Sequence, residues 1–68
     1  MILAPKMIMT EKDGKMLKAE YFEHEGNSGA KFYIDEQLVA EETYEGKSIH
    51  WARDAAENWL AGIKTLNG

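Results

Sequence analysis

The apolar positions of residues 49–63 repeat with the period of an α-helix. On a wheel that turns about 100° per residue, every apolar position of one stripe lies within about 60° of Ala56. The other members of this stripe are Ile49, Ala52, Trp59, Leu60 and Ile63. Ser48 precedes the stripe and can act as an N-cap, because its hydroxyl can accept a hydrogen bond from a first-turn amide. The pattern predicts an amphipathic helix after Ser48, with Asn67-Gly68 as a natural stop and Gly62 as an earlier one.

Residues 6–22 carry the signature of a β-hairpin. Asp13-Gly14 is the strongest turn signal in the chain, because both central residues of a type I′ turn need a positive φ. We therefore expect a strand over Lys6–Lys12 and a second strand from Lys15 onward. A two-residue loop sets the register of this hairpin. Its predicted pairs are Lys12 with Lys15, Thr10 with Leu17, Ile8 with Ala19 and Lys6 with Tyr21.

A second hairpin is predicted after the loop-like cluster Gly26–Gly29. The β-branched and aromatic bias resumes at Ala30–Ile34 and again at Leu38–Tyr44, on either side of Asp35-Glu36-Gln37. A two-residue turn places Phe32 opposite Val39, whereas a type I turn with a bulge shifts the register by one residue. With the two-residue turn, the face opposite Phe32 holds Lys31, Tyr33, Leu38, Ala40 and Tyr44.

These elements predict one α+β domain spanning residues 1–68. Its fold class is ββββα: a four-stranded antiparallel sheet of two hairpins, with the single C-terminal helix packed on one face. The pattern does not determine the strand order. The face beneath the helix is expected to hold Ile8, Leu17, Ala19, Tyr21, Phe32, Ile34 and Val39.

Composition narrows the classes of partner and compartment. Twelve acidic and eight basic residues give a formal net charge of −4, and the basic residues are dispersed. Nucleic-acid binding is therefore not favoured, because it depends on Lys and Arg that neutralise phosphates. The absence of cysteine excludes disulfides and thiolate metal sites and fits a reducing compartment. Met1–Lys6 has no leading basic region and is too short for a signal peptide or a membrane span, so we expect a cytoplasmic protein.

Trp51 is the helical residue that does not fit the buried stripe. It lies about 140° from Ala56 on the wheel, beside the small residues Ala55 and Gly62. One interpretation is that Trp51 docks into a second subunit or a partner, with Ala55 and Gly62 permitting a close approach. The alternative is that its ring folds back over the strand-to-helix connection near Tyr44.

The outer sheet face is more apolar than a solvated face needs to be. Its predicted members are the apolar residues Met7, Met9, Met16, Phe22, Tyr33, Leu38 and Tyr44, mixed with Lys18, Lys31, Glu20 and Glu42. Such a face predicts self-association, for which a twofold dimer is the default form. Aromatic side chains beside lysines could also stack single-stranded bases, but the equal number of carboxylates speaks against that use.

The sequence carries no pattern typical of a catalytic, cofactor or metal site. His24 lies between Glu23 and Glu25, but neighbouring strand residues point to opposite faces and cannot easily chelate one ion together. His50 has no serine or cysteine at a spacing that would make it a general base. Thioethers suit Cu(I), yet methionines more commonly fill gaps in cores and interfaces. We expect neither a cofactor nor enzymatic activity.

The run Tyr44–Ser48 leading into Asp54–Trp59 resembles small uncharacterised open reading frames of marine tailed phages. The resemblance covers about the last third of the chain and transfers no functional residue. It implies an accessory protein that works by binding. Together these observations predict a non-enzymatic protein-binding module, acting as a homodimer. A nucleic-acid-related role remains as the alternative, either single-strand binding by the sheet or acidic mimicry of DNA.

Overall fold

Three two-residue turns fold residues 6–44 into one antiparallel sheet, and a helix then crosses one of its faces. The computed structural model describes residues 5–64. Each strand pairs with its neighbour in the sequence, so the strand order is β1-β2-β3-β4. This confirms the predicted ββββα architecture and supplies the strand order. The elements are β1 (Lys6–Lys12), β2 (Lys15–His24), β3 (Asn27–Ile34), β4 (Gln37–Tyr44) and α1 (Ile49–Leu60).

The first hairpin has the predicted turn and register. Asp13 and Gly14 have φ angles of 53° and 80°, as a type I′ turn requires. Lys12 pairs with Lys15, and the pairing continues without a break to Lys6 opposite Tyr21. Ile8, Ala19 and their neighbours on this face are therefore directed toward the helix.

The link between β2 and β3 differs from the predicted loop. The turn consists of Glu25 and Gly26 alone, with φ angles of 53° and 81°. Asn27 already pairs with His24, and Gly29 pairs with Phe22. The predicted loop over Gly26–Gly29 is therefore wrong beyond Gly26, because a two-residue turn lets the strands pair immediately. The sheet is a continuous meander rather than two separate hairpins.

The last hairpin combines the two turn geometries that the sequence left open. Asp35 and Glu36 form a two-residue turn with φ angles of 50° and 71°. Two residue pairs after the turn, Val39 forms a β-bulge. Phe32 consequently faces Ala40 instead of Val39, because the bulge adds one residue to β4. The predicted faces of β4 are therefore wrong beyond the bulge. Val39 is exposed, and the residues moved to the helix side are Ala40, Glu42 and Tyr44.

Small side chains let the helix lie close to the middle of the sheet. Ala19 and Ala30 on adjacent strands are fully buried, as are Ala52 and Ala56 on α1. Large side chains fill the space beside this alanine layer. The ring of Phe32 meets that of Trp59 edge-on, with centroids 5.0 Å apart. The remaining half-buried contacts of the core come from Ile8, Leu17, Ile34, Ala40, Tyr44, Ile49 and Leu60.

The helix ends earlier than its apolar stripe. Ser48 is the N-cap residue, although its side chain makes no capping hydrogen bond. At the other end Gly62 adopts a φ of 82°, and the amides of Gly62 and Ile63 donate to the carbonyls of Trp59 and Asn58. These bonds form a Schellman motif. Ile63, predicted in the buried stripe, is 74% exposed because the chain turns away before it. The predicted stop at Asn67-Gly68 lies outside the described residues.

Two side-chain hydrogen bonds connect turns to distant backbone. Asp35 accepts a bond from the Met16 amide at 3.0 Å and donates its own amide to the Met16 carbonyl at 2.9 Å. Asn27 accepts a bond from the Gly46 amide at 2.8 Å. The first pair of bonds ties the β3–β4 turn to β2. The second fixes the chain that leads from β4 into α1.

Candidate functional site

The outer sheet face, which lies opposite α1, carries three exposed methionines beside the β1 edge. Met7, Met9 and Met16 are 60%, 63% and 42% exposed, and we call them the methionine patch. Met7 and Met9 lie on β1, and Met16 lies near the start of β2. Within residues 5–64 no element covers this face. Leu38, at the opposite edge of the sheet, is 54% exposed.

Charged side chains occupy the middle of the outer face. Lys31 pairs with Glu20 on one side and with Glu41 on the other, which places a cation between two carboxylates across three strands. On the next row the ammonium group of Lys18 lies 4.5 Å from the centre of the Tyr33 ring. The sequence predicted this mixture of charged and apolar residues. The structure places Lys18, Glu20 and Lys31 on the two central strands, and it places Met7 and Met9 on the β1 edge.

The two aromatic candidates on this face already have partners. Lys18 contacts the ring of Tyr33, and Phe22 lies across Gly29 on the adjacent strand. A Cβ at Gly29 would lie only 2.8 Å from the Phe22 ring, so the ring fills the space that a side chain would need. The Phe22 and Tyr33 side chains are both half-buried. Neither offers an unobstructed ring on which a base could stack.

Trp51 is exposed and has a cationic neighbour. It is 53% exposed, and the ammonium group of Lys47 lies 4.6 Å from the ring centre. The Lys47 side chain, which belongs to the strand-to-helix connection, therefore lies against the ring, while half of the Trp51 surface stays in solvent. Its role as an interface residue stays a prediction.

The other predicted interface residues have mixed placements. Ala55 is half-buried on α1, whereas Gly62 lies beyond the end of the helix and no longer shares a helical face with Trp51. A Cβ at Gly62 would lie 2.6 Å from the ammonium nitrogen of Lys12, so this glycine faces the end of β1. Tyr44 is directed toward the helix, as described above, and so is not on the outer face. The predicted interface residues that do lie on the outer face are Phe22, Tyr33 and Leu38.

A polar cluster that the sequence did not predict lies between β4 and the end of α1. The Tyr44 hydroxyl donates to a carboxylate oxygen of Glu42 at 2.5 Å, and the ammonium group of Lys64 lies 3.1 Å from the same oxygen. Burial by itself raises the pKa of Glu42, but the hydrogen bonds from Tyr44 and Lys64 and the charge of Lys64 outweigh it and lower the pKa. Burial, followed by the bond to Glu42 and its charge, raises the pKa of Tyr44. The cluster joins the chain after α1 to β4.

This cluster predicts a loss of stability in acid. Because the folded-state pKa of Glu42 lies below its ordinary value of 4.5, its stabilising effect is present above that value and is lost as the pH falls through the lowered pKa. We expect Glu42→Gln to cost about 1 kcal/mol at neutral pH, and we expect this cost to shrink on acidification. Urea unfolding of both proteins across the acid range measures it. A cost that does not vary with pH would contradict the assignment.

The described surface offers neither a ligand pocket of ordinary size nor a cluster of metal ligands. A depression of about 80 Å³ is lined by Lys6, Tyr21, Ile49, His50 and Arg53. It is far smaller than typical ligand pockets, which measure about 300–1,000 Å³. In residues 5–64 no group of three or more His, Cys, Asp or Glu side chains is placed to hold a metal ion. His24 is exposed and lies 3.8 Å from the adjacent Glu25.

One polar group inside the sheet has no partner. The Ser28 hydroxyl is fully buried and makes no hydrogen bond within the described chain. Ser28 pairs with Glu23 and with Tyr44, near the end of the helix-facing side. A buried hydroxyl that makes no hydrogen bond within the protein contributes nothing favourable to its stability.

Similarity to known proteins does not indicate what these surfaces bind. Over the part of the chain that the structure describes, no helix is long and apolar enough to cross a membrane. No protein-family model, no curated protein and no solved structure matches the chain.

Proposed function

We propose that this chain is a non-enzymatic protein-interaction module that works as a homodimer. The observation that carries the proposal is the methionine patch, whose three side chains are 42–63% exposed on a face that no described element covers. Exposed apolar patches on small proteins commonly mark contact surfaces. Methionine suits such a surface, because its flexible thioether adapts to the shape of a partner.

Binding is better supported than catalysis by the shape of the described surface. The depression beside His50 and Arg53 is too small to enclose a substrate of ordinary size. Its histidine, His50, is exposed to solvent instead of being enclosed beside a bound substrate. The contact surface of the module is therefore open and broad rather than concave.

Protein binding is also better supported than binding of a nucleic acid. Lys18 and Gly29 already occupy the ring faces that the sequence offered for stacking, and Lys31 is flanked by two carboxylates. With a net charge of −4, the chain lacks the excess of cations that phosphate binding needs. The absence of cysteine suits a reducing compartment such as the cytoplasm, and the accessory role follows the phage resemblance.

A test of this proposal compares the solution mass of three proteins. We expect light scattering to give twice the chain mass for the wild type over a wide concentration range. Met9→Lys should shift the protein to the monomer, because it introduces a charge into the patch. Val39→Lys is the matched control, since Val39 is 44% exposed on the other edge strand, and this variant should stay dimeric.

Two outcomes would overturn the proposal. A wild type that stays monomeric at high protein concentration would remove the homodimer. Binding of a fluorescent single-stranded oligonucleotide that weakens steeply with salt would favour the nucleic-acid role instead. Circular dichroism of each variant checks that any loss of mass reflects dissociation and not unfolding.

A further inference from the structure

We infer that the second copy joins along the free edge of β1, in an antiparallel ladder centred on Met9, so that two four-stranded sheets become one continuous sheet. This inference rests on the proposed homodimer and names the surface that holds it together. Three features of the structure support the β1 ladder. They are the outward backbone groups of β1, the contrast between the two sheet edges, and the position of the charged residues.

The register of the first hairpin determines which backbone groups of β1 point away from the sheet. Lys12 and Lys15 flank the two-residue turn and are hydrogen-bonded to each other, as in any closed turn of this type. Hydrogen-bonded and non-hydrogen-bonded pairs alternate along an antiparallel ladder. The backbone amides and carbonyls that bond to β2 are therefore those of Lys12, Thr10, Ile8 and Lys6. The residues whose amides and carbonyls point outward are Met7, Met9 and Glu11.

One antiparallel register uses all three of these residues. When Met9 lies opposite the partner's Met9 on the twofold axis, Met7 lies opposite the partner's Glu11, and each such pair exchanges two hydrogen bonds. A register centred on Ile8 would place Glu11 opposite the partner's Pro5, which has no backbone N–H to donate. Registers that differ by one residue would place the outer face of one copy beside the inner face of the other, because side chains alternate along a strand.

The two edges of the sheet differ in how well they resist such pairing. β4 contains the bulge at Val39, a feature that protects natural edge strands. β1 pairs with β2 over its whole length without a bulge, and Pro5 precedes the strand instead of interrupting it. Its exposed side chains at Met7 and Met9 are apolar. The β1 edge is therefore the open one.

The charges of the outer face favour edge pairing over stacking of two sheets. Stacking would remove Glu20, Lys31 and Glu41 from water at the centre of the contact, at a cost that charge pairing seldom recovers. Edge pairing leaves that row in solvent. It brings the methionine patches of both copies together across the twofold axis, with one Glu11 at each end of the strip.

The same register places like charges only at the two ends of the ladder. Lys6 comes to lie near the partner's Lys12, and both residues are exposed in the single chain. Salt and water screen the repulsion between such exposed charges. The centre of the ladder contains no charged pair.

Single-cysteine variants provide a direct test, because the natural sequence contains no cysteine. In the proposed register the two Met9 Cα atoms lie about 5.5 Å apart, within the range of about 4.4–6.8 Å that a disulfide spans. The two Met7 Cα atoms would be offset by four residues along the strands, or about 14 Å. We expect Met9→Cys to form an intermolecular disulfide at least ten times faster than Met7→Cys, measured under mild oxidation by non-reducing electrophoresis.

Hydrogen exchange of the unmodified protein gives an independent measurement. Raising the protein concentration should slow amide exchange at Met7, Met9 and Glu11, because these amides become bonded in the dimer. The outward amides of β4, such as that of Thr43, should exchange at the same rate in dilute and concentrated samples. NMR spectra recorded after transfer to heavy water follow each amide separately.

The outcomes distinguish this inference from the proposed function. A dimeric wild type with equal cross-linking of Met9→Cys and Met7→Cys, and with no added protection on β1, overturns the β1 ladder while the homodimer stands. A monomeric wild type overturns both. Selective cross-linking at position 9 together with protection confined to β1 supports the ladder.

Discussion

Replacing Phe32 with alanine is expected to unfold the protein at room temperature. Phe32 is fully buried and contacts the ring of Trp59 at a centroid distance of 5.0 Å, so its removal empties the space between the sheet and the helix. Such truncations cost about 3–5 kcal/mol. The core of a chain of 68 residues rarely supplies more than about 3–5 kcal/mol of net stability, so the loss consumes most or all of it. Thermal unfolding followed by circular dichroism measures the effect.

Tyr33→Ala is the control for this prediction. Tyr33 is the next residue on the same strand, but its half-buried ring lies on the outer face against Lys18. We expect a cooperative transition in this variant and a loss of about 1 kcal/mol. Equal losses in the two variants would mean that the helix side of β3 is not the core of the fold.

Gly29→Ala is expected to destabilise the protein, although alanine normally suits a strand better than glycine. A Cβ at this position would lie 2.8 Å from the Phe22 ring and 3.0 Å from the carbonyl oxygen of Glu42. The ring can rotate away, whereas the carbonyl belongs to the β4 backbone. We expect a net loss of about 1–2 kcal/mol, since the overlap exceeds the benefit of replacing glycine. Urea unfolding of both proteins measures it.

A double-mutant cycle with Phe22→Ala identifies the cause of that loss. When the ring is absent, Gly29→Ala should cost about 1 kcal/mol less than it does in the wild type, because only the contact with Glu42 remains. Additive losses would show that the contact with the Glu42 carbonyl, and not the Phe22 ring, opposes a side chain. A Gly29→Ala variant that is more stable than the wild type would contradict the proposed overlap.

The first hairpin could be predicted from the sequence because two independent signals agree there. Asp13-Gly14 specifies the turn, and the alternation around Ile8 and Ala19 specifies the face, so the register follows. The helix was predictable for the same kind of reason, since a long periodic stripe follows a capping residue. Its end was less predictable, because Gly62 and the residues after it stop the helix through backbone bonds that no hydrophobic pattern displays.

The second half of the sheet shows where sequence patterns are insufficient. Glu36 adopts a positive φ that glycine would take more readily, and Asp35 compensates by bonding to Met16 on a different strand. That contact is not local, so the turn residues alone could not reveal it. The bulge at Val39 then reverses the faces of the following residues. The Glu42, Tyr44 and Lys64 cluster was missed as a direct result.

The apolar character of the outer face was predicted in outline, whereas its use as an interface stays a prediction. The outer face was expected to be apolar, and the exposures of Met7, Met9, Met16 and Leu38 agree with that expectation. The position of the methionines at an edge, beside charged residues on the central strands, required the strand order, which the sequence did not provide. The difference between the two sheet edges depends on the bulge at Val39, so the sequence alone did not predict it.

The meander order of the strands has a kinetic consequence. Every strand pairs with its neighbour in the sequence through a two-residue turn, so each hairpin forms by closing a very short loop. Isolated hairpins of this kind form in about 1–10 μs, and folds dominated by local contacts reach the native state quickly. The return of α1 over β2 and β3 is the long-range step. The Gly46 amide donates a hydrogen bond to the Asn27 side chain, which holds the connection between β4 and α1 beside the β2–β3 turn in the folded state.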